Sequence, residues 1–159
     1  MPLIELTTII NAPIERCFDL ARSIDLHKRS MDGTNEEAIG GVTSGLIGAG
    51  EQVTWRATHF GVTQRLTSRI TQFDRPHHFR DEMIEGIFKM IQHDHWFEST
   101  NINETVMKDE FRFESPGGLF GQIFNKVVLE KYLRDLLYKR NIVIKQAAES
   151  KNRKSHLKN

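Results

Sequence analysis

Residues 51–73 read EQVTWRATHFGVTQRLTSRITQF, and their alternation decides the fold. Val53, Trp55, Ala57 and His59 share one parity, mostly apolar; Gln52, Thr54, Arg56 and Thr58 hold the other. That period of two is the signature of a strand with one solvated side. It resumes in Val62, Gln64, Leu66, Ser68 and Ile70, set against Thr63, Arg65, Thr67, Arg69 and Thr71. His59, Phe60 and Gly61 fall between the two runs as the turn of an antiparallel hairpin.

Downstream, FDRPHH (73–78) interrupts the pattern and FRDEMIEG (79–86) restores a short strand. IFKMIQHDHWFEST (87–100) and ETVMKDEFRFES (104–115) make a final hairpin about NINE (101–104). Pro116, Gly117 and Gly118 end the sheet, and residues 119–150 form the longest helical stretch. Phe120, Ile123, Phe124 and Val127 lie on one side of a continuous helix. Leu129, Tyr132, Leu133, Leu136, Val143 and Ala147 lie nearly opposite, which predicts a break or strong bend near Val127 to Leu129.

Upstream, LIELTTII (3–10) is rich in β-branched residues and reads as a strand. It runs directly into NAPIERCFDLARS (11–23), where Asn11 is placed to cap a helix and Pro13 suits its first turn. IDLHKRSM (24–31) reads as a second short helix. The segment 33–51 is glycine-rich and lacks the glycine spacing of a phosphate cradle, so it reads as a strand with flanking turns. Gly40, Gly41, Gly45, Gly48 and Gly50 make residues 40–50 a candidate mobile gate.

The chain has 159 residues, 38% hydrophobic and 27% charged, which fits one α+β domain over residues 1–150. Lys151, Arg153, Lys154 and Lys158 concentrate charge in a basic, flexible tail, 151–159. The remaining 18 basic residues face 21 acidic ones, so no nucleic-acid footprint is indicated. Cys17 is the single cysteine, which excludes an internal disulfide or a thiolate metal cluster. No apolar run is long enough for a membrane span and the N-terminus does not read as a signal peptide, so a cytoplasmic location is expected.

IQHDHWFE (91–98) carries two histidines one residue apart. On a strand, His93 and His95 project with Ile91 and Phe97; Phe88, Met90, Gln92, Asp94 and Trp96 take the other face, and pattern alone leaves open which is inside. Across the hairpin, parity is informative. Lys108, Glu110, Arg112 and Glu114 form a solvent-like face, which turns Met107, Asp109, Phe111 and Phe113 inward. An inward carboxylate needs a partner, and a His–Asp pair would satisfy both groups while fixing the imidazole tautomer. Asp81 and Glu82 are adjacent, face opposite ways, and cannot act as a carboxylate pair.

Strand, helix, short helix, a run of antiparallel strands and one long C-terminal helix is an order with few known solutions. It resembles the helix-grip fold of the START-related, SRPBCC superfamily, in which a curved sheet of about six to seven strands wraps the helix. NAPIERCFDL is similar to the superfamily's recurrent opening. THFGVTQRLTSRITQFDRPHHFRDEM, GIFKMIQHDHWFE, TVMKDEFRFESPGGLFG and LRDLLYKR resemble its ligand-binding, polyketide-cyclase-like or cell-division-inhibitor-like group. Ile87 stands where that group usually has a turn proline. The resemblance implies a cavity between sheet and helix that binds a hydrophobic or amphipathic small molecule. It also implies that the face bearing His93 and His95 lines this cavity.

Three chemistries then compete. The histidine pair with Asp109 or His59 has the ligand types of a metal site. His93, His95 and Asp109 are candidate catalytic groups for a cyclase-like proton transfer on a bound carbonyl compound. In the third reading the histidines are hydrogen-bonded wall residues of a binding pocket. That reading expects neither metal nor cofactor, and places Trp55, His59, Gln64, Ser68, His93, His95, Phe97, Met107, Asp109, Phe111, Tyr132 and Leu136 at the ligand. A protein-interaction module linked to cell division is the remaining alternative, and oligomeric state is left open.

Overall fold

The alternating segments enter one antiparallel sheet in the computed structural model, which describes residues 2–115 and 126–150. Its strands are β1 (Leu3–Ile10), β2 (Glu37–Gly41), β3 (Gln52–His59), β4 (Val62–Asp74), β5 (His78–Glu85), β6 (Met90–Asn101) and β7 (Glu104–Glu114). They lie in the order β1-β7-β6-β5-β4-β3-β2, so the chain meanders from β2 to β7 while β1 pairs beyond the last strand. Two short helices, α1 (Ile14–Ala21) and α2 (Ile24–Ser30), fill the connection from β1 to β2, and α3 (Lys126–Glu149) follows the sheet. This is the curved sheet and long C-terminal helix of the helix-grip fold.

Local chemistry explains the joints. The β3–β4 connection is a two-residue turn in which Phe60 and Gly61 have φ of 53° and 76°, the primed geometry that matches strand twist. Register shifts between Thr67 and Ser68, between Ile70 and Gln72, and between Ser99 and Asn101 bend the longer strands and curve the sheet. Ser23 caps α2 by accepting the Leu26 amide at 3.2 Å. The expected Asn11 cap of α1 does not form: Pro13 is the cap residue, and the Asn11 amide instead donates to Glu149 at 2.8 Å. Asn11 lies two residues too early to reach the first free amides of that helix.

Phe18 of α1 is fully buried and meets Phe73, Phe79 and Phe97 edge to face at 5.4, 5.2 and 5.3 Å. This aromatic cluster closes one end of the sheet's inner face. Toward the other end, Ile4, Ile91, Phe111 and Phe113 pack with Leu129 and Leu137 of α3. Val127 to Leu129 sit in the first turn of α3, where the bend was expected; residues 119–125, the other half of that expectation, lie outside the described residues, as does the 151–159 tail.

The glycine-rich segment is stitched down. Ile24 N–H donates to Gly45 O at 2.9 Å, Gly45 N–H to the Asp25 carboxylate at 2.9 Å, Ile47 N–H to Arg22 O at 3.1 Å and Gly50 N–H to Ile70 O at 2.9 Å. A freely swinging gate would lack these bonds. The positive φ of Gly41, Gly45 and Gly50 serves the turns that make them.

Candidate ligand cavity

A cavity of about 240 Å³ lies between the inner face of the sheet and α3. Helices α1 and α2 bring Ala21, Ile24 and His27 to it, and β3 brings Val53, Trp55, Ala57 and His59. From β4 come Gln64, Leu66, Ser68 and Ile70; from β5 to β7 come Phe79, Asp81, Ile91, His93, His95 and Phe111. Helix α3 closes it with Leu129, Tyr132, Leu133, Leu136, Leu137 and Arg140. Most of this wall is apolar, and its polar groups gather in a few places.

The largest gathering is at the centre of β5, β6 and β7. Strand register sets His93 opposite Asp81 and Phe111, and His95 opposite Phe79 and Asp109. Each imidazole reaches past its direct partner to the diagonal carboxylate: His93 Nε2 bonds Asp109 Oδ1 at 2.8 Å, and His95 Nε2 bonds Asp81 Oδ2 at 2.7 Å. The rings therefore cross, with centroids 3.7 Å apart, between Phe79 stacked on His95 at 4.1 Å and Phe111 edge-on to His93 at 5.2 Å.

Helix α3 completes the cluster from above. Asn141 Nδ2 donates to Asp109 Oδ2 at 2.7 Å. Arg140 sends Nη1 to Asn141 Oδ1 at 3.1 Å and toward Asp109 Oδ1 at 3.5 Å. Its Nη2 goes to Ala21 O at 3.1 Å and to His95 Nδ1 at 3.4 Å. Burial alone would raise the Asp109 carboxyl, but the hydrogen bond from His93, the nearby His95 ring 3.4 Å away and the Arg140 charge outweigh it and hold it well below the usual carboxylate range. Asp81 is lowered in the same way, against its burial, first by the His95 bond. Burial, with neighbouring His95, pushes the His93 imidazole down to about 4, so His93 is neutral at pH 7.

Elsewhere in the cavity His59 Nδ1 meets the Tyr132 hydroxyl at 2.6 Å, and burial lowers the His59 imidazole and raises the Tyr132 phenol. His27 Nε2 bonds Glu36 at 2.9 Å beside Trp55. The outer face carries a counterpart to the inner cluster. Asp94, only 2% exposed, accepts from His78 at 2.7 Å and Arg80 at 2.8 Å, with Gln92 and Arg112 beyond.

Nine of the residues expected at the ligand line the cavity: Trp55, His59, Gln64, Ser68, His93, His95, Phe111, Tyr132 and Leu136. Phe97, Met107 and Asp109 share the inner face but do not reach it. Phe97 and Met107 lie in the core under α1, where Phe18 fills the space a ligand would need. Asp109, 0% exposed, stands behind His93, His95 and Arg140 and meets the cavity only through those side chains. Three participants were missed. Asp81 shares its parity with Phe79 and Met83, which marks an inward carboxylate once adjacent Glu82 is disregarded. Arg140 and Asn141 interrupt the stripe Leu133, Leu137, Ile144, Ala147, a polar break on a buried helix face.

Asp81, His93 and His95 are the described residues whose donor atoms gather within 4.8 Å of one another, as a metal would require. Asp109 and His59, the third ligands expected from sequence, are not in the group. Both Nε2 atoms are already committed to carboxylates, and the Arg140 guanidinium stands 3.4 Å from His95 Nδ1. A cation would have to break the His95–Asp81 bond and sit beside a fixed positive charge, so this donor set fits a metal poorly.

No protein-family model matches the chain, and no curated protein sequence does. Solved structures do. Over 94% of this chain and 100% of the other, it is similar to TTHA0849 from Thermus thermophilus, with a TM-score of 0.70 and 21% identity. The ZhuI aromatase/cyclase from Streptomyces sp. R1128 matches over 93% of each chain, with a TM-score of 0.70 and 17% identity. A START superfamily protein from Mycobacterium smegmatis covers 91% of this chain and 97% of its own, with a TM-score of 0.65 and 10% identity. These likenesses show that the chain has the helix-grip fold. Among the described residues no helix is long and apolar enough to cross a membrane.

Proposed function

We propose that this protein binds a hydrophobic or amphipathic small molecule in the cavity between the sheet and α3. The observation that carries the reading is the wall itself: about 240 Å³ of space bounded mainly by apolar and aromatic side chains, with a few polar groups at fixed positions. Among the described residues no fully buried side-chain nitrogen or oxygen lacks a partner, so the polar wall is stable without a ligand. Such a wall orients a guest without consuming it.

A second reading, proton-transfer catalysis of the cyclase type, is favoured by one observation, the His93–Asp109 pair beside the cavity. Magnitude counts against it. A general base works best with its pKa near the working pH, and an imidazole held near about 4 is a weak base at neutrality. Binding is therefore the primary role.

Native mass spectrometry of the protein purified from cells tests the proposal. The expected result is a retained organic mass released on denaturation, and its loss in Ala57→Trp, where a large ring enters the cavity from β3. An empty wild-type protein that also fails to take up any apolar probe would overturn it.

A further inference from the structure

The deep cluster leaves acceptors of His93 and Asp81 toward the cavity and keeps the terminal donors of Arg140 for the protein. Asp109 accepts from Asn141 on one oxygen and from His93 Nε2 on the other. A carboxylate held ionised only accepts, so the single proton of neutral His93 is on Nε2 and the lone pair is on Nδ1. Nδ1 bonds none of the described groups. Since no fully enclosed polar side-chain atom among the described residues lacks a partner, Nδ1 opens onto the cavity that His93 lines. Asp81 lines the same cavity with its side chain 27% exposed, and one oxygen is taken by His95.

The strong donor nearby, Arg140, keeps its terminal nitrogens for the protein, which leaves Nε–H as its fifth donor. It has four terminal N–H bonds, and four protein acceptors stand before them: Asn141 Oδ1, Asp109 Oδ1, Ala21 O and His95 Nδ1. A guest at this end thus meets the Nδ1 lone pair, the free flank of Asp81 and two carboxylate charges against one guanidinium.

We propose that the deep end of the cavity takes the hydroxyl group of a neutral, largely apolar ligand, a phenol, enol or alcohol, whose O–H donates to His93 Nδ1, and that it turns carboxylates away. The proposal rests on the cavity being a ligand site and names the chemistry of what it holds. A ketone has no donor for Nδ1, and a carboxylate adds negative charge beside Asp81 and Asp109. An ammonium must shed its hydration among apolar walls with part of one carboxylate in return. A hydroxyl supplies one hydrogen bond at the lowest desolvation cost.

The test is calorimetric titration of the full chain at pH 7 with five matched probes: naphthalene, 2-naphthol, 2-acetonaphthone, 2-naphthoate and 2-naphthylmethylammonium. We expect 2-naphthol to bind about fivefold to tenfold tighter than naphthalene, the worth of one net hydrogen bond, and naphthoate to bind weakest. Asp109→Asn turns a carboxamide N–H toward His93 Nε2 and moves the imidazole proton to Nδ1, so its preference should shift from naphthol to the ketone. If that variant does not fold, imidazole nitrogen NMR of the wild type serves instead, and must find Nδ1 unprotonated at pH 7. Equal affinities for naphthol and naphthalene, tightest binding of naphthoate or the ammonium, or a protonated Nδ1 would each overturn the hydroxyl assignment while leaving ligand binding intact. Failure of all five probes to bind would sink the ligand reading itself.

Discussion

Asp109 shows how much of this molecule rests on single polar residues. Fully buried, it is sustained by His93, Asn141 and the Arg140 charge, and removing one partner leaves the others exposed to the cost of an uncompensated charge. Arg140→Leu should therefore destabilise the fold by about 3 kcal/mol, read from the urea midpoint, although leucine suits an apolar helix face. His93 makes a different prediction. It stays neutral in the fold down to about 4, among Asp81, Asp109, His95 and Arg140, whereas in the unfolded chain it protonates near the ordinary value of about 6.5. Below that value the unfolded chain binds the extra proton, so acid favours unfolding. Between pH 7 and pH 5 the His93 contribution to stability should fall by about 2 kcal/mol, and His93→Gln should flatten that slope in chemical denaturation. The lowered carboxyls of Asp81, Asp94 and Asp109 act only further down, their contribution being lost as pH falls below the ordinary carboxylate range.

At the scale of elements, the glycine-rich connection is the place where a small change should be felt most. Gly41 has φ of 70°, and a Cβ there would run into the main-chain carbonyl of Gln52, so Gly41→Ala should lower thermal stability by about 1–3 kcal/mol. In hydrogen exchange the Gly45, Ile47 and Gly50 amides should be protected, as their bonds require; rapid exchange at all three would restore the gate. This connection also shows where sequence stops informing. Strands announce themselves one residue at a time, so Trp55, His59, Gln64 and Ser68 could be placed on the inner face by parity. The limits of the cavity could not, because Phe97 and Met107 have the right parity and are excluded by Phe18, which reaches them from a helix some 80 residues earlier. Asp81 was hidden for a related reason. Its partner His95 lies diagonally across a strand pair, a relation of register rather than of sequence.

For the whole molecule, ligand and fold are linked by mass action. A probe at about 100 times its Kd should stabilise the protein by about 2.7 kcal/mol, and Ala57→Trp should abolish that gain while keeping the unliganded transition cooperative. A melting temperature equally raised in both proteins would place the probe outside the cavity. The anchorage of α3 has a mechanical consequence. Its last turns are nailed to the rest of the chain through Arg140 to Ala21, Asn141 to Asp109, Lys145 to Ile9 and Glu149 to Asn11. Its first turns lie against the cavity mainly through Leu129, Leu133 and Leu136, with the Tyr132 phenol bonded to His59 and Arg134 Nη1 3.5 Å from the Glu5 carbonyl. The two ends of the helix are thus held by different physics: high salt or a change of pH should loosen the C-terminal end first, and an apolar cosolvent the end over the cavity.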